Sequence, residues 1–571
     1  MVAKPVVLLA VAATLAAAPV RFKSRTLADL VAQVPGILAS QDRATGRFGS
    51  GIWICNDQNV VLPLAAAWRY RDAANPYYHS AEVLEAIMKG GDALIADQDP
   101  TGQWVFRKKD NSTWGNIYMP WTYSRWVRAF SLIKDAMPPD RRAQWEKGLL
   151  LGYNGIARQL AGERIHNIPA HHAMGLYFAG KALGNPAWRE QAGQFLRRVA
   201  AAQHPDGYWS EGKGPVILYG FVYAEALGVY YAETKDPDIL PVLRRNAAFH
   251  TYFNYPDGSD VETVDERNPY HTGVRVPNVG FSASPEGRTY LARQLGLRKD
   301  RVPADEAAAL LLWGEEGEGA PRDPAAGDFD FVLGQGDAAV RRRGPWFLVL
   351  SAIAGPVPRD RWHQDRQNFV SVYHDRAGLI LGGGNTKLQP SWSSFTAGDL
   401  GLLSHKPGDE SPDFLPPAGL KHVPVSARLL PAPAFGVELD YGGGLTGTIR
   451  LVPQTPDHLD YTVSGDAALT AHVTVLPRMG QQVSCDGGQT ASFGAAPFSW
   501  AAPGAWLAYA GVSITLPPGA AVRWPLLPHD PYVKDGAAQP EAGRMVVDFS
   551  AAEARTLSIT VRRGPARLVS H

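Results

Sequence analysis

Cysteine is almost absent from this chain: Cys55 and Cys485 are its two cysteines among 571 residues. Two cysteines are too few for a disulfide-stapled domain or a cysteine-ligated metal centre, so stability must come from buried apolar surface. A bridge between them is allowed in an oxidising compartment, but the sequence does not assign one. The length predicts two large domains, because single cores stop growing near about 250–300 residues.

The chain also lacks an excess of basic or of acidic residues. The chain has 56 basic and 55 acidic residues and a net charge of +1. Such a balance gives no bulk field that would favour nucleic acid or an anionic membrane. Any anionic partner must therefore be bound by local groups, and we expect no nucleic-acid partner.

Long apolar runs are lacking except at the N-terminus, from Val6 to Ala18. That run is too short for a permanent membrane span. It follows Lys4 and ends in small residues, Ala16–Ala18, as secretory signal peptides do. We therefore assign residues 1–22 to a signal peptide and expect an exported protein, periplasmic or secreted, with no membrane span.

Glycine-containing turns recur about every 50 residues in the first half, a period typical of helical-hairpin arrays. They are "DRATGRF", "DPTGQW", "HPDGYW" and "YPDGSDV", at Gly46, Gly102, Gly207 and Gly258. An absent member would fall in "LGYNG", residues 151–155. Apolar residues at three- and four-residue spacings between the turns predict helices. Residues 25–315 are thus expected to form an incomplete (α/α) toroid of five to seven hairpins.

The composition changes after a Gly- and Pro-containing linker at residues 316–328. Short β-rich runs follow, among them "PWFLVLSAI", "NFVSVYHDRAGLILGGG" and "LSITVRR". Residues 329–571 are therefore expected to form an antiparallel β-sandwich domain. The predicted architecture is a multidomain α and β protein with the toroid first.

Three histidines and an asparagine lie in "ERIHNIPAHHAMGLYFAG". Pro169 suits the first turn of a helix, so Asn167 lies near its start while His171 and His172 follow on it. Adjacent helical residues point about 100° apart, which disfavours one shared metal. The stretch is a candidate for proton transfer or, alternatively, only a capped and packed helix start.

Two further segments carry polar groups without a nucleophile. In "DGYWSEGKGPVILYGFVYAEALG", Tyr219 and Tyr223 share a helix face after a turn that bears Glu211 and Lys213. An aromatic core stripe is the alternative interpretation of those tyrosines. The irregular segment "DERNPYHTGVR" supplies a third set, Arg267, Tyr270, His271 and Arg275.

Asn, His, Tyr and Arg together suit β-elimination of a 4-linked uronic acid. Removing the C5 proton puts a second negative charge beside the carboxylate, which Asn and a cation stabilise. A histidine or tyrosine takes that proton, and a tyrosine protonates the leaving oxygen at C4. No cofactor is required.

The motifs "HNIPAHHA", "HPDGYWSEG" and "YGFVYAEAL" resemble, in order and separation, those of the toroidal alginate lyases and heparinase II/III-like polysaccharide lyases. The resemblance implies a toroid-plus-sandwich lyase acting on an anionic polysaccharide or oligosaccharide. It implies that Asn167 neutralises the carboxylate, that His171 or His172 is the base or a second neutralising group, and that Tyr219 or Tyr223 is the acid. Adjacent Asn and His are common in those enzymes, whereas "IPA" separates Asn167 from His171 here.

The segment "DERNPYH" with Arg275 resembles the substrate-binding loop of these enzymes, which implies that Arg267 and His271 hold the uronate. The further candidates for substrate binding are Glu211, Lys213, Tyr270, Arg275, Trp121 and Trp209. No metal is assigned to the site. A structural metal in the β domain is neither assigned nor excluded. The histidines there, His363, His374 and His405, have no recognisable ligand spacing.

Two other functions are compatible with the sequence. A glycoside hydrolase on the same type of toroid would use paired carboxylates, Glu211 with Asp260 or Glu266. A non-catalytic glycan-binding protein would stack sugars on Trp104, Trp114, Trp121 and Trp209. The uronate, the end or interior position of attack, and syn or anti geometry are not determined by the sequence.

Overall fold

The structure is a computed structural model that describes residues 19–49, 57–108, 110–363, 365–366, 368–403 and 409–562. Cys55, His405 and residues 1–18 of the predicted signal peptide lie outside these ranges. Residues 19–22, which the sequence boundary also placed in the signal peptide, are part of the folded domain: Pro19–Val20 pairs with Gly317–Glu318, and Phe22 is buried. Within the described ranges, no helix combines the length and apolarity needed to cross a membrane.

Twelve α-helices occupy the described part of the N-terminal half. They are α1 (Lys23–Ala39), α2 (Val61–Arg69), α3 (Ala81–Asp97), α4 (Pro120–Ile133), α5 (Pro139–Leu160), α6 (Asn167–Ala182), α7 (Pro186–Ala201), α8 (Ile217–Thr234), α9 (Leu240–Tyr252), α10 (Val279–Ser282), α11 (Pro285–Leu297) and α12 (Ala304–Trp313).

The helices form the predicted (α/α) toroid. Inner helices α2, α4, α6, α8, α10 and α12 contact one another in that order, and α12 returns to contact α2 and α1. Each of the first five inner helices pairs with the outer helix that follows it, giving five hairpins. Every residue of α2 from Val61 to Trp68 is buried, as expected for a helix that is apolar on all sides.

The four glycine turns are confirmed. Gly46, Gly102, Gly207 and Gly258 have φ values of +74°, +90°, +92° and +88°, which favour glycine. Residues 151–155, where the absent member of the repeat would fall, hold no turn, because this stretch is the middle of α5. Its glycines serve packing instead: a Cβ atom at Gly152 would lie 2.0 Å from the Tyr123 hydroxyl oxygen.

The C-terminal half contains two large antiparallel sheets, as predicted, and three short strand pairs occur elsewhere in the described residues. The larger sheet contains β5 (Phe329–Leu333), β6 (Ala338–Arg343), β7 (Trp346–Ser351), β9 (Val370–His374), β10 (Gly378–Leu381), β12 (Phe395–Gly398), β13 (Leu420–Lys421), β18 (Thr470–Val475), β21 (Phe498–Trp500), β24 (Ala521–Leu526) and β25 (Arg544–Ser550). The smaller sheet contains β14 (Ser426–Leu429), β15 (Gly436–Asp440), β16 (Thr446–Thr455), β17 (His458–Gly465), β19 (Gln482–Cys485), β20 (Thr490–Ser492), β22 (Trp506–Tyr509), β23 (Val512–Thr515) and β26 (Arg555–Val561). The remaining pairs are β1 (Pro19–Val20) with β4 (Gly317–Glu318), β2 (Trp104–Arg107) with β3 (Thr113–Ile117), and β8 (Asp365–Arg366) with β11 (Asn385–Thr386).

The larger sheet is buried on both faces. One face packs on the smaller sheet through residues such as Leu348 and Val372. The opposite face joins the core of the toroid through Phe347 and Tyr373, and Tyr373 stacks on Tyr255 of the helical domain at 5.1 Å. Burying a side chain of this size contributes about 1.5–3 kcal/mol, so the two domains are firmly joined.

Candidate functional site

A cavity of 1230 Å³ lies between the toroid and the β domain. On the helical side it is lined by the start of α4, α6 and α8 and by the β2–β3 hairpin. On the other side it is lined by residues 360–363, by Glu410 and Ser411, and by Tyr532. The inner helices α4, α6 and α8 begin at this cavity, so their partially positive N-termini face it.

Asn167 is placed at the cavity by the first turn of α6. Its side-chain Oδ1 accepts a hydrogen bond of 2.7 Å from the Ile168 amide, and Pro169 follows in the same turn. Because the oxygen is engaged, the side-chain amide nitrogen is the group that can donate to a ligand. The predicted helix start is confirmed.

Glu211 connects the predicted site residues. Its carboxylate accepts the Asn167 backbone amide at 3.0 Å and the Tyr223 hydroxyl at 3.4 Å. Its other oxygen lies 3.4 Å from Nη1 of Arg267. The side chain is 7% exposed. Glu211 therefore holds Asn167 and Arg267 on opposite sides of its own carboxylate.

Two neighbouring carboxylates hold the backbone around Glu211 in place. Glu266 accepts the backbone amides of Glu211, Gly212 and Lys213 at 3.0, 2.8 and 2.5 Å. Asp265 accepts the amide of Ile217, at the start of α8, at 2.8 Å, and that of Arg267 at 2.7 Å. Burial raises the pKa of Asp265 to about 6. The loop and the helix that carry the site are thus tied together by backbone hydrogen bonds.

Tyr219, Arg267 and Tyr532 meet at one end of the cavity. Nη2 of Arg267 donates to the Tyr219 hydroxyl at 2.9 Å, and the guanidinium lies over the same ring at 4.9 Å. Tyr532, from the β domain, also lines the cavity and lies close enough to Tyr219 and Arg267 to interact with both. Burial raises the pKa of Tyr219, while Arg267 opposes that rise by stabilising the phenolate. Tyr219 is therefore held in its protonated form at neutral pH.

Aromatic rings form much of the remaining lining. Trp114 of the hairpin meets Trp362 of the β domain edge to face at 4.5 Å and stacks on Phe106 at 4.6 Å. Trp121 also lines the cavity. Flat apolar surfaces of this kind suit the faces of sugar rings.

Among the described residues, the imidazoles of His166 and His363 line the cavity. Nδ1 of His166 is 3.4 Å from Asn167 Oδ1, and its Nε2 is 3.5 Å from the Glu163 carboxylate. His363 holds Asp360 through Nδ1 at 3.0 Å, and its Nε2 is buried without a hydrogen-bond partner in the described part of the chain. His166 is thus the imidazole beside Asn167.

His171 and His172 do not line the cavity. His171 is 1% exposed, packs edge to face on Trp121 at 4.5 Å, and has no hydrogen bond to either ring nitrogen within the described residues. His172 contacts the Tyr118 carbonyl through Nε2 at 2.7 Å. Burial lowers the pKa of His171 well below its ordinary value and that of His172 to about 4. Both are neutral packing groups behind the cavity wall.

The other predicted residues divide into four groups, of which three are described first. Trp121, Glu211, Tyr219 and Arg267 line the cavity with Asn167. Trp209 and Tyr223 are buried and stacked on each other at 4.9 Å beneath it. Lys213 lies against Gly355 and Tyr270 contacts Ser259 at 3.2 Å, and neither lines the cavity.

His271 and Arg275 line a separate cavity of 650 Å³. Arg275 is paired there with Asp260 at 2.8 Å. Arg267, by contrast, faces the larger cavity. The predicted substrate loop therefore supplies residues to two different cavities.

The contributions of the β domain and of His166 to the cavity were not predicted from the sequence. Trp362 and His363 lie in "RDRWHQD", and Tyr532 lies in "PHDPYV". Both segments are polar and contain an aromatic residue. The candidate loops of the toroid were identified from the same pattern. No spacing relates them to Asn167, so only the packing of the two domains shows that they share a site.

No group of three or more potential metal-ligating side chains occurs in the ranges that the structure describes. His363 is engaged with Asp360, and His374 contacts the Pro456 carbonyl at 3.0 Å.

Comparison with known proteins shows the fold. No family model and no curated protein matches the chain. The structure is similar to heparinase III, with a TM-score of 0.51, 14% identity, and coverage of 88% of this chain and 75% of that one. It is similar also to a variant of chondroitin AC lyase from Streptomyces coelicolor A3, with a TM-score of 0.51, 13% identity, and coverage of 96% and 80%.

These similarities define the architectural class, a helical toroid followed by a β domain, as found in polysaccharide lyases. The predicted resemblance in fold is confirmed. At this level of identity, the chemistry has to be argued from the residues of this chain.

Proposed function

We propose that this protein is an exported polysaccharide lyase that cleaves a 4-linked uronic-acid-containing glycan by β-elimination. The observation that carries the proposal is the grouping of Asn167, Tyr219 and Arg267 around Glu211 in the interdomain cavity. The apolar run and small residues at the N-terminus support export.

The uronate carboxylate is bound between the Asn167 amide and the Arg267 guanidinium. Both groups are pre-positioned, so they stabilise the charge that grows on the carboxylate as the C5 proton leaves. Removing one donor of this kind typically lowers kcat by about 10²–10³-fold. Glu211 keeps the two donors apart and oriented, as a positioning residue.

His166 is the proposed base and Tyr219 the proposed acid. C5 carries the carboxylate, so the base must lie beside the group that binds that carboxylate, and His166 is the imidazole next to Asn167. The C5 proton passes to His166, the C4–C5 double bond forms, and the C4–O4 bond breaks. O4 takes the proton of the Tyr219 hydroxyl, whose raised pKa keeps that proton available.

The charges around the cavity favour a uronate glycan that carries few or no sulfate groups. The described lining contains Arg164, Arg267 and Arg361 against Asp57, Glu211, Asp360 and Glu410. Both Nη atoms of Arg361 donate to backbone carbonyls, at 2.8 and 2.7 Å. A densely sulfated chain would require more unengaged cations than this set provides.

The hydrolase alternative has less support. Glu266 is occupied by three backbone amides, and Asp260 is paired with Arg275 in the other cavity. Neither partner carboxylate is placed to act with Glu211 across a glycosidic bond. The glycan-binding alternative retains Trp114 and Trp121 but not Trp104 and Trp209, which are buried in the core.

A screen of the purified protein against uronate glycans tests the proposal. Glucuronan, alginate, hyaluronan, chondroitin and heparan sulfate are incubated separately, and the ultraviolet absorbance of the unsaturated product end is followed. We expect absorbance from an unsulfated or weakly sulfated glycan, and its loss in Tyr219→Phe. New reducing ends without absorbance would show hydrolysis, and no new ends from any glycan would favour a binding protein.

A further inference from the structure

Contacts between the two domains form one wall of the cavity. The β2–β3 hairpin of the toroid reaches the β domain at several points. The ammonium of Lys108 is fully buried and forms an ion pair with Glu410. The Asp110 carboxylate accepts the backbone amide of Lys534 at 2.8 Å. These contacts join the hairpin to two separate loops of the β domain.

Aromatic packing strengthens the same junction. Trp362 meets Trp114 edge to face at 4.5 Å and lies 5.6 Å from the ring of Tyr532. Arg361 ties the two β-domain loops together, because its guanidinium donates to the carbonyls of Glu410 and Val533. We call these joined segments the bridge; it comprises residues 104–108, 110–117, 360–363 and 530–534 with Glu410.

The bridge ends at the proposed reaction centre. Tyr532 lies 6.3 Å from the ring of Trp114 on the hairpin side, and on the other side it lies close enough to Tyr219 and Arg267 to interact with both. Contacts therefore run without interruption from the hairpin, across the β domain, to the proposed acid. The acid lies against this wall rather than in the middle of an open groove.

From this arrangement we infer that the enzyme attacks its polysaccharide from a chain end. The inference rests on the proposed function. An interior residue of a long chain can reach the acid only if the chain leaves the cavity in both directions, and the bridge occupies one of them. A terminal segment needs a single opening. The products are accordingly short unsaturated oligosaccharides or monosaccharides from the first turnover.

The size distribution of products tests this inference. A polymer that the protein cleaves is digested to a few per cent, and the mixture is separated by size-exclusion chromatography. Attack at chain ends gives small unsaturated products while the polymer peak keeps its elution volume. A fall of the mean polymer mass by half or more at the same extent of cleavage would overturn the inference.

Opening the bridge provides a second measurement. Lys108→Met with Asp110→Ala removes the two polar contacts without leaving a buried charge. We expect this variant to release several-fold more products of intermediate length. Glu438→Gln, which breaks the exposed Arg428–Glu438 pair on the smaller sheet, is the matched control and keeps the parent pattern. An unchanged product pattern in the bridge variant would contradict the inference that the bridge blocks one direction of the cavity.

Binding separates failure of this inference from failure of the proposed function. Quenching of tryptophan fluorescence is measured with hyaluronan or alginate preparations of different chain length at equal sugar concentration. Binding through chain ends saturates with the molar concentration of chains, whatever the chemistry that follows. Saturation with the concentration of sugar residues would overturn the inference even if lyase activity is found.

Discussion

The guanidinium of Arg267 lies over the ring of Tyr219 and donates from Nη2 to its hydroxyl at 2.9 Å. One cation therefore contacts both the proposed acid and, through Nη1, the Glu211 carboxylate. The pairing makes Tyr219, rather than Tyr223, the tyrosine that can meet substrate. Tyr223 is buried beneath it, stacked on Trp209.

Tyr219→Phe is expected to lower kcat by about 10²–10⁴-fold, the usual contribution of a general acid. Binding of the glycan should change little, because only the hydroxyl is removed. Tyr223→Phe loses one hydrogen bond to Glu211 and should cost less than tenfold. Steady-state rates of ultraviolet-absorbing product formation measure both. Equal losses of kcat in the two variants would contradict the assignment of Tyr219 as the acid.

His166→Ala should remove the base and reduce kcat by a similar factor of about 10²–10⁴. His363 lines the same cavity but is engaged with Asp360, so His363→Ala is expected to affect KM more than kcat. His171→Asn and His172→Gln, behind the wall, should retain most activity. Activity in His166→Ala with loss in His171→Asn would restore the sequence-based assignment of the base.

Glu211→Gln should disturb the site without removing a reacting group. The substitution keeps the size of the side chain but weakens the ionic contact with Arg267, which leaves both Asn167 and Arg267 less well oriented. We expect kcat/KM to fall about 10–100-fold while the protein stays folded. Glu146→Gln, on the outer surface of α5, is the control. Circular dichroism and kinetics together distinguish loss of orientation from unfolding.

Acid should destabilise the toroid through its buried histidines. Burial lowers the pKa of His172 from 6.5 to about 4 and that of His250 to about 3. The unfolded chain therefore binds more protons between pH 6.5 and 4, and stability falls as pH falls through that window. His172 alone would contribute a change of order 3 kcal/mol.

His172→Gln tests this pH dependence, because the glutamine amide can still donate to the Tyr118 carbonyl. Its thermal midpoint should decline less than that of the parent between pH 7 and pH 4. His458→Gln on the smaller sheet, where the imidazole is partly exposed, should follow the parent. Parallel curves for His172→Gln and the parent would show that His172 does not carry the effect.

Much of the architecture could be predicted because it depends on local patterns. The glycine turns at Gly46, Gly102, Gly207 and Gly258 and the helix that starts at Asn167 are confirmed. Residues 151–155, where the absent member of the repeat would fall, hold no turn, since Gly152 and Gly155 admit the rings of Tyr123 and Tyr118 within a continuous helix. A glycine pattern alone does not distinguish a turn from a close packing contact.

The candidate site was predicted in part. Asn167, Tyr219 and Arg267 were identified from the toroid motifs, and the structure brings them together around Glu211. The choice of histidine could not be made from "HNIPAHHA", because it depends on which helix face meets Trp121 and which meets the cavity. Arg275 was grouped with Arg267 by proximity in sequence, yet the chain turns between them and delivers each to a different cavity.

By itself, the sequence determined the two-domain division, the helical and β-rich halves, and the polar residue types from which a uronate site can be built. Those features follow from apolar periodicity, glycine and proline placement, and side-chain chemistry, all of which are local. Only the tertiary structure decided that Tyr532, Trp362 and His363 complete the cavity, that His171 is buried, and that the bridge closes one side. Contacts between residues hundreds of positions apart depend on how two packed domains meet, and no spacing along the chain encodes that distance.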